Sequence, residues 1–251
     1  MSEAELSRTA SSWRVWKTMN ADVYDTAFYR FPIFRQVYQD ELRFVRSRDW
    51  TDSCLIEVGS GPGEFMLSFP DVFKMMVGVD RSKRLIDYAA RQAAGDPSVH
   101  LISGDAAQLR QLLEECGPAE AENLPKLVSC VMNTLGILEP DVRSSVMANM
   151  AAILRPEDSF LIAVFNREHL GAAVESFYSA NPDLCGTVGD GDYDLAAGDL
   201  RVKSTGYYSH WFDEDELSND LTAAGFGDFG IERHGVGLFA FGGRIRPLVS
   251  A

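Results

Sequence analysis

LIEVGSGPGEFML, running from Leu55 to Leu67, decides the fold. A β-prone run, Leu55 to Val58, feeds directly into a turn with glycines at 59, 61 and 63, after which apolar residues resume at Phe65. Glycines on alternate positions let the backbone bend sharply and come within contact distance of a ligand, because no Cβ stands in the way. A strand, a glycine-rich turn and a predicted helix, GEFMLSFPDVF, together make the opening of a βαβ unit. The turn alone is a weak signal, so the pattern around it has to carry the reading.

Working outward, short apolar runs predict strands in CLIEV, MMVGVD, VHLISGD, KLVSCVM and SFLIAVFN. Amphipathic runs between them predict helices in KRLIDYAARQA, QLRQLLEEC and VRSSVMANMAAIL. Such alternation implies right-handed crossovers and a parallel sheet covered by helices on both faces. After Asn166 the alternation stops, and the segment from about 167 to 210 is rich in Gly, Asp and aromatic residues. It is expected to be an insertion that shapes a substrate site. A helix, EDELSNDLTAAGF, and two strands, DFGIERHG and VGLFAFGGR, close the pattern, the last strand running antiparallel across a tight turn. Upstream, residues 1–50 are aromatic and helical in character, with Pro32 between two predicted helices, and form an expected cap or lid. The fold class is therefore α/β, doubly wound, with a mostly parallel seven-stranded sheet in residues 51–251.

Composition narrows the function. The 251 residues are 46% hydrophobic and 11% aromatic, enough for one sizeable core. Lys and Arg number 23 against 37 Asp and Glu, a formal charge of −14, which opposes a nucleic-acid backbone as substrate. Cys54, Cys116, Cys130 and Cys185 are scattered with no CxxC spacing, which suits reduced thiols in a cytoplasmic setting and speaks against zinc. No stretch approaches the roughly 20 apolar residues of a membrane span.

In an open parallel sheet, ligands sit beyond the carboxyl ends of the strands where the strand order reverses. Gly59, Ser60, Gly61 and Gly63 occupy the turn after the first strand. No Gly-Lys-Ser/Thr follows, the third glycine comes one residue early for G-x-G-x-x-G, and Glu64 opposes an anion at this turn. A cationic or zwitterionic ligand fits better. Asp80 ends the second strand, with Arg81 after it, and its carboxylate can accept from both hydroxyls of a ribose. Asp105 follows the third strand and can accept from an adenine amino group, while Ala106 leaves room for the ring. Asn133 and Thr134 end the fourth strand, at the reacting end of the ligand. Any one of these is as readily a helix cap; all of them on successive strand tips form a constellation.

These residues resemble the class I S-adenosylmethionine-dependent methyltransferases. The resemblance runs from about Leu55 to Arg244 and is carried by EVGSGPGEF, VGVDRS, GDAAQL, CVMNTLGIL and the terminal antiparallel pair. It implies a Rossmann-like sheet, S-adenosyl-L-methionine as cofactor and S-adenosyl-L-homocysteine as product. Glu57 would order the glycine turn, Gly59 and Gly61 would approach the methionine moiety, Asp80 would hold the ribose, and Asp105 with Ala106 would flank the adenine. MNTLG lacks the Pro-Pro-aromatic of amine- and base-modifying members and is similar to small-molecule methyltransferases, which disfavours nucleic acid as acceptor. No Asp/Asp/Asn metal set of the catechol type can be placed.

Methyl transfer asks mainly for alignment of a nucleophile and exclusion of water, with a general base needed chiefly for hydroxyl acceptors. His210 is the first choice of base and Tyr24 of a residue closing over the cofactor. Trp16, Tyr29, Tyr178, Tyr207, Tyr208 and Trp211 are candidates for an acceptor pocket, since aromatic faces suit an amine becoming more positive. Arg30, Arg35 and Arg201 are candidates for an acceptor carboxylate. The expected function is methyl transfer to a small amine or amino-acid-like acceptor, at N, O or S. A cofactor-binding subunit without catalysis is the alternative, and protein or tRNA methylation ranks below both. The sequence leaves monomer and homodimer equally open.

Overall fold

The structure is a computed structural model and describes residues 31–243. Trp16, Tyr24, Tyr29 and Arg30 lie outside the described residues, as does the first of the two helices expected upstream.

Apolar runs too short to make helices pair side by side into one sheet. Its strands are β1 (Cys54–Val58), β2 (Met75–Asp80), β3 (Val99–Ser103), β4 (Lys126–Cys130), β5 (Ser159–Phe165), β9 (Phe229–His234) and β10 (Gly237–Gly243). Their order is β3-β2-β1-β4-β5-β10-β9. The first five are parallel, and β10 lies antiparallel between β5 and β9. This is the expected seven-stranded sheet. Every residue of β1 is buried, because both faces of a parallel sheet are covered. The strand order reverses between β1 and β4, which opens a crevice at their carboxyl ends.

One face packs on helix α1 (Pro32–Arg46), which begins at Pro32, where a missing N–H costs nothing. Its Phe34 meets Phe165 of β5 with ring centroids 4.6 Å apart, and Phe44 meets Phe241 of β10 at 5.0 Å. The other face carries α3 (Leu109–Cys116), α4 (Pro140–Ala152) and α5 (Glu214–Ala224), with Val146, Met150, Leu217 and Leu221 buried with Ile56, Val128 and Ile162. Helix α2 (Lys83–Gln92) links β2 to β3. Asp213 caps α5 through Glu216 N, and Gly225 closes it at φ 93°.

One local expectation changes. The helix predicted over GEFMLSFPDVF is a series of turns with one tight helical turn, Met66–Ser68. Pro70 cannot donate to Met66 O, which takes the Phe69 N–H instead, and the run cannot propagate as an α-helix. The insertion has secondary structure of its own. Helical turns Leu170–Ala173 and Val174–Tyr178 lead to a separate three-stranded antiparallel sheet of β6 (Tyr193–Asp194), β7 (Asp199–Val202) and β8 (Tyr207–His210).

Three of the four thiols are buried, and burial pushes Cys54 up to about 12 and Cys185 to about 11, with Cys130 raised as well. Cys116, at the end of α3, is exposed. Among the described residues no helix is long and apolar enough to cross a membrane.

Phe165 is 1% exposed and touches both Phe34 and Trp211, so it joins α1, the sheet and the insertion. Phe165→Ala is expected to cost about 3–5 kcal/mol of stability, read from urea unfolding midpoints.

Candidate active site

The turn after β1 is pinned to the end of β2. Gly59 N and Ser60 N both donate to Val79 O, at 2.8 and 3.1 Å, and Gly61 N donates to Asp80 Oδ2 at 2.9 Å. Asp80 Oδ1 accepts from Ser82 N at 2.7 Å. Burial raises the Asp80 carboxyl above its usual range, and the two backbone donors offset part of that rise. Gly59 sits at φ 74°, and a Cβ there would fall 2.3 Å from Thr134 Cγ2. The turns after β1 and β4 therefore touch, and only glycine fits at the contact.

Beside that contact opens a cleft. Gly59, Asp80, Arg81, Asp105, Ala106 and Thr134 line it, and Ile137, Leu138, Val142 and Val146 form an apolar wall. Asp105 Oδ1 accepts from Ala107 N at 3.0 Å, while Oδ2 stands 3.7 Å from Arg81 Nε. A glycine cradle, two carboxylates with lone pairs to spare and a flat apolar wall fit a purine nucleoside. Glu57 points away from the cleft into the protein, is 3% exposed and accepts from Met66 N at 3.2 Å, tying the far side of the glycine-rich segment to β1. Burial raises its carboxyl well above the usual range.

Other candidates take different places. Asn133 is buried and committed to the fold: its Nδ2 donates to His210 O at 3.1 Å, and its Oδ1 accepts from Phe165 N at 3.0 Å. The His210 ring nitrogens contact Asp199 Oδ1 and Glu216 Oε1, both at 2.8 Å. Burial alone would lower the imidazole, but the two carboxylates outweigh it and hold His210 above its ordinary value, leaving no ring nitrogen to take a proton from an acceptor. Tyr178, Tyr207, Tyr208 and Trp211 are each at most 3% exposed and belong to the packed interior. Tyr178 Oη donates to Ser209 Oγ and accepts from Trp211 Nε1, at 3.0 and 3.2 Å. Arg35 is exposed on α1.

Two contacts escaped the sequence reading, which took Arg201 as a candidate for an acceptor carboxylate and passed over Glu41. Arg201 of β7 grips Glu139, a cleft residue, through two 2.8 Å contacts, with its guanidinium carbon 4.1 Å from the Tyr208 ring centre. Glu41 of α1 is fully buried, and its Oε1 accepts from Met132 N at 2.9 Å. Burial lifts Glu41 to about 8, the Met132 N–H opposes the rise, and Asp40 adds to it. The signal was available: Glu41 stands four residues from both Val37 and Val45, on the apolar stripe of α1.

Residues 55–157 match a family model described as a methyltransferase domain. That segment is a methyltransferase domain. Solved structures share the fold. A possible histamine N-methyltransferase from Thermotoga maritima aligns at TM-score 0.58 with 18% identity, over 93% of this chain and 99% of that one. A methyltransferase from Streptomyces caelestis gives 0.57 and 17%, over 94% and 98%. A magnesium protoporphyrin IX methyltransferase from Synechocystis PCC 6803 with bound SAH gives 0.56 and 14%, over 94% and 99%. Comparison with curated proteins gave no match.

Gly59→Ala in the methyltransferase should lower S-adenosylhomocysteine affinity by roughly tenfold or more in calorimetry, since it adds both left-handed strain and a clash with Thr134. Glu41 is neutral in the folded protein up to about pH 8, whereas the unfolded chain loses that proton near 4.5, so folding takes up a proton in between. Stability of the ligand-free protein should therefore fall as pH rises through that window. Glu41→Gln should flatten the fall, read as melting temperature against pH.

Proposed function

We propose that this methyltransferase acts on a small-molecule acceptor, an amine or amino-acid-like compound, and works by positioning. The observation that carries the reading is the cleft, where carboxylates on the tips of β2 and β3 flank a glycine cradle on β1. When bound, S-adenosylmethionine supplies a methyl on a sulfonium whose leaving group is a neutral thioether. Asp80 would accept from the ribose hydroxyls with the lone pairs its backbone donors leave over. Asp105 Oδ2 would accept from the adenine amino group, and Ile137, Leu138, Val142 and Val146 would cover the ring and exclude water. Gly59 lets the backbone approach without a side chain between.

A small acceptor is favoured by the charge of −14 and by MNTLG, which has no Pro-Pro-aromatic. Structures of similar fold include a possible histamine N-methyltransferase and a magnesium protoporphyrin IX methyltransferase. A nucleophile that deprotonates readily, an amine or thiol, suits a site in which both nitrogens of His210 are occupied. Buried thiols suit a cytoplasmic setting.

Incubation with methyl-labelled cofactor and a panel of small amines, amino acids and thiols should put label into a small product. Tight cofactor binding with no turnover on any acceptor would instead point to a regulatory subunit. Asp80→Ala should weaken cofactor binding by on the order of 1–3 kcal/mol, and unchanged calorimetric affinity would reject its assignment.

A further inference from the structure

Two carboxyls lie buried under the tips of β1 and β4. Glu57 belongs to β1, and Glu41 reaches Met132, two residues before the cleft residue Thr134. Glu41 Oε1 is used by the Met132 N–H, whereas Oε2 is fully buried and has no hydrogen-bond partner among the described residues. The groups bearing on the pair are all neutral donors or acids: Met132 N–H and Asp40 on Glu41, Met66 N–H, Glu41 and Asp80 on Glu57. Tyr38 and Cys130 also feel both carboxyls. Among the described residues no cation bears on them, so a carboxylate buried here has no counter-ion from that part of the chain.

The sheet itself indicates what supplies one. From β3 to β4 the order is β3-β2-β1-β4, three strand spacings or about 14 Å. Asp105 marks the base end of the cleft beyond β3, and Asp80 marks the sugar at β2. A nucleoside laid in that direction projects whatever hangs from its ribose toward the β1 and β4 tips. In S-adenosylmethionine that substituent is an amino acid with a primary ammonium.

We propose that Glu41 is a further cofactor-binding residue, whose unpaired oxygen accepts from this ammonium while its carboxyl proton passes to solvent. The proposal rests on the cofactor reading above. It adds a contact from α1, outside the segment matched by the methyltransferase family model.

The test is calorimetry on wild type and Glu41→Gln with two probes, S-adenosylhomocysteine and 5′-methylthioadenosine, which has the same nucleoside without the amino acid. Glutamine keeps an acceptor for Met132 N–H, and thermal melting confirms that the variant is folded. Glu41→Gln should lose tenfold or more in affinity for S-adenosylhomocysteine and keep its affinity for 5′-methylthioadenosine. Repeating the titration near neutral pH in buffers of different ionisation enthalpy should show wild type releasing a substantial fraction of a proton with S-adenosylhomocysteine, and the variant less. Equal affinities and proton counts in the two proteins, or equal losses for both probes, would overturn the role of Glu41 while leaving the cofactor reading intact. Wild type that binds neither probe overturns both.

Discussion

Much of the site depends on two residues held in the left-handed region. Met132 and Asn133, just past β4, have φ of 49° and 58°, which costs a non-glycine residue of order 1–3 kcal/mol. Neighbouring elements hold them there. Helix α1 contributes Glu41 to the Met132 N–H, β5 contributes Ala163 O to Asn133 N and Phe165 N to Asn133 Oδ1, and β8 contributes His210 O to Asn133 Nδ2. Without these contacts the chain would leave β4 in another direction, and Thr134 would not meet Gly59. The cleft wall that follows, from Ile137 to Val146, hangs from this turn.

That arrangement divides the molecule into a cofactor half and an enclosing half. The cofactor half is built largely from backbone: glycine positions, N–H groups aimed at Asp80, and strand tips in register. The enclosing half is built from large side chains, with Phe34, Phe165, Phe177, Tyr178 and Trp211 in mutual contact. Among the polar points where the two halves meet are Asn133 with His210 O and Arg201 with Glu139. His210, fixed between Asp199 and Glu216, ties β8 to α5 and supports this junction.

The sheet was legible because parallel strands buried on both faces give runs such as CLIEV and SFLIAVFN, whose spacing leaves little choice of topology. The cleft residues were legible for a related reason: in such a sheet, sequence position at a strand tip is also spatial position. Side-chain partners are set by contacts across the fold, and here the sequence misled. Asn133 stood at a strand tip like Asp80, yet its amide is consumed by β5 and β8, which lie far away in the chain. Tyr178, Tyr207, Tyr208 and Trp211 had the composition of a pocket and the burial of a core. The helix expected after the glycine turn failed on one residue, Pro70. Glu41 was passed over because an acid on a helix is ordinarily solvated.

The four cysteines have a practical consequence. Cys54, Cys130 and Cys185 are shut away from reagents and resist ionising, whereas Cys116 is exposed at the end of the helix that follows the Asp105 turn. A maleimide fluorophore would therefore attach at one place, making the unmodified sequence a ready single-colour reporter of events at the adenine side of the crevice.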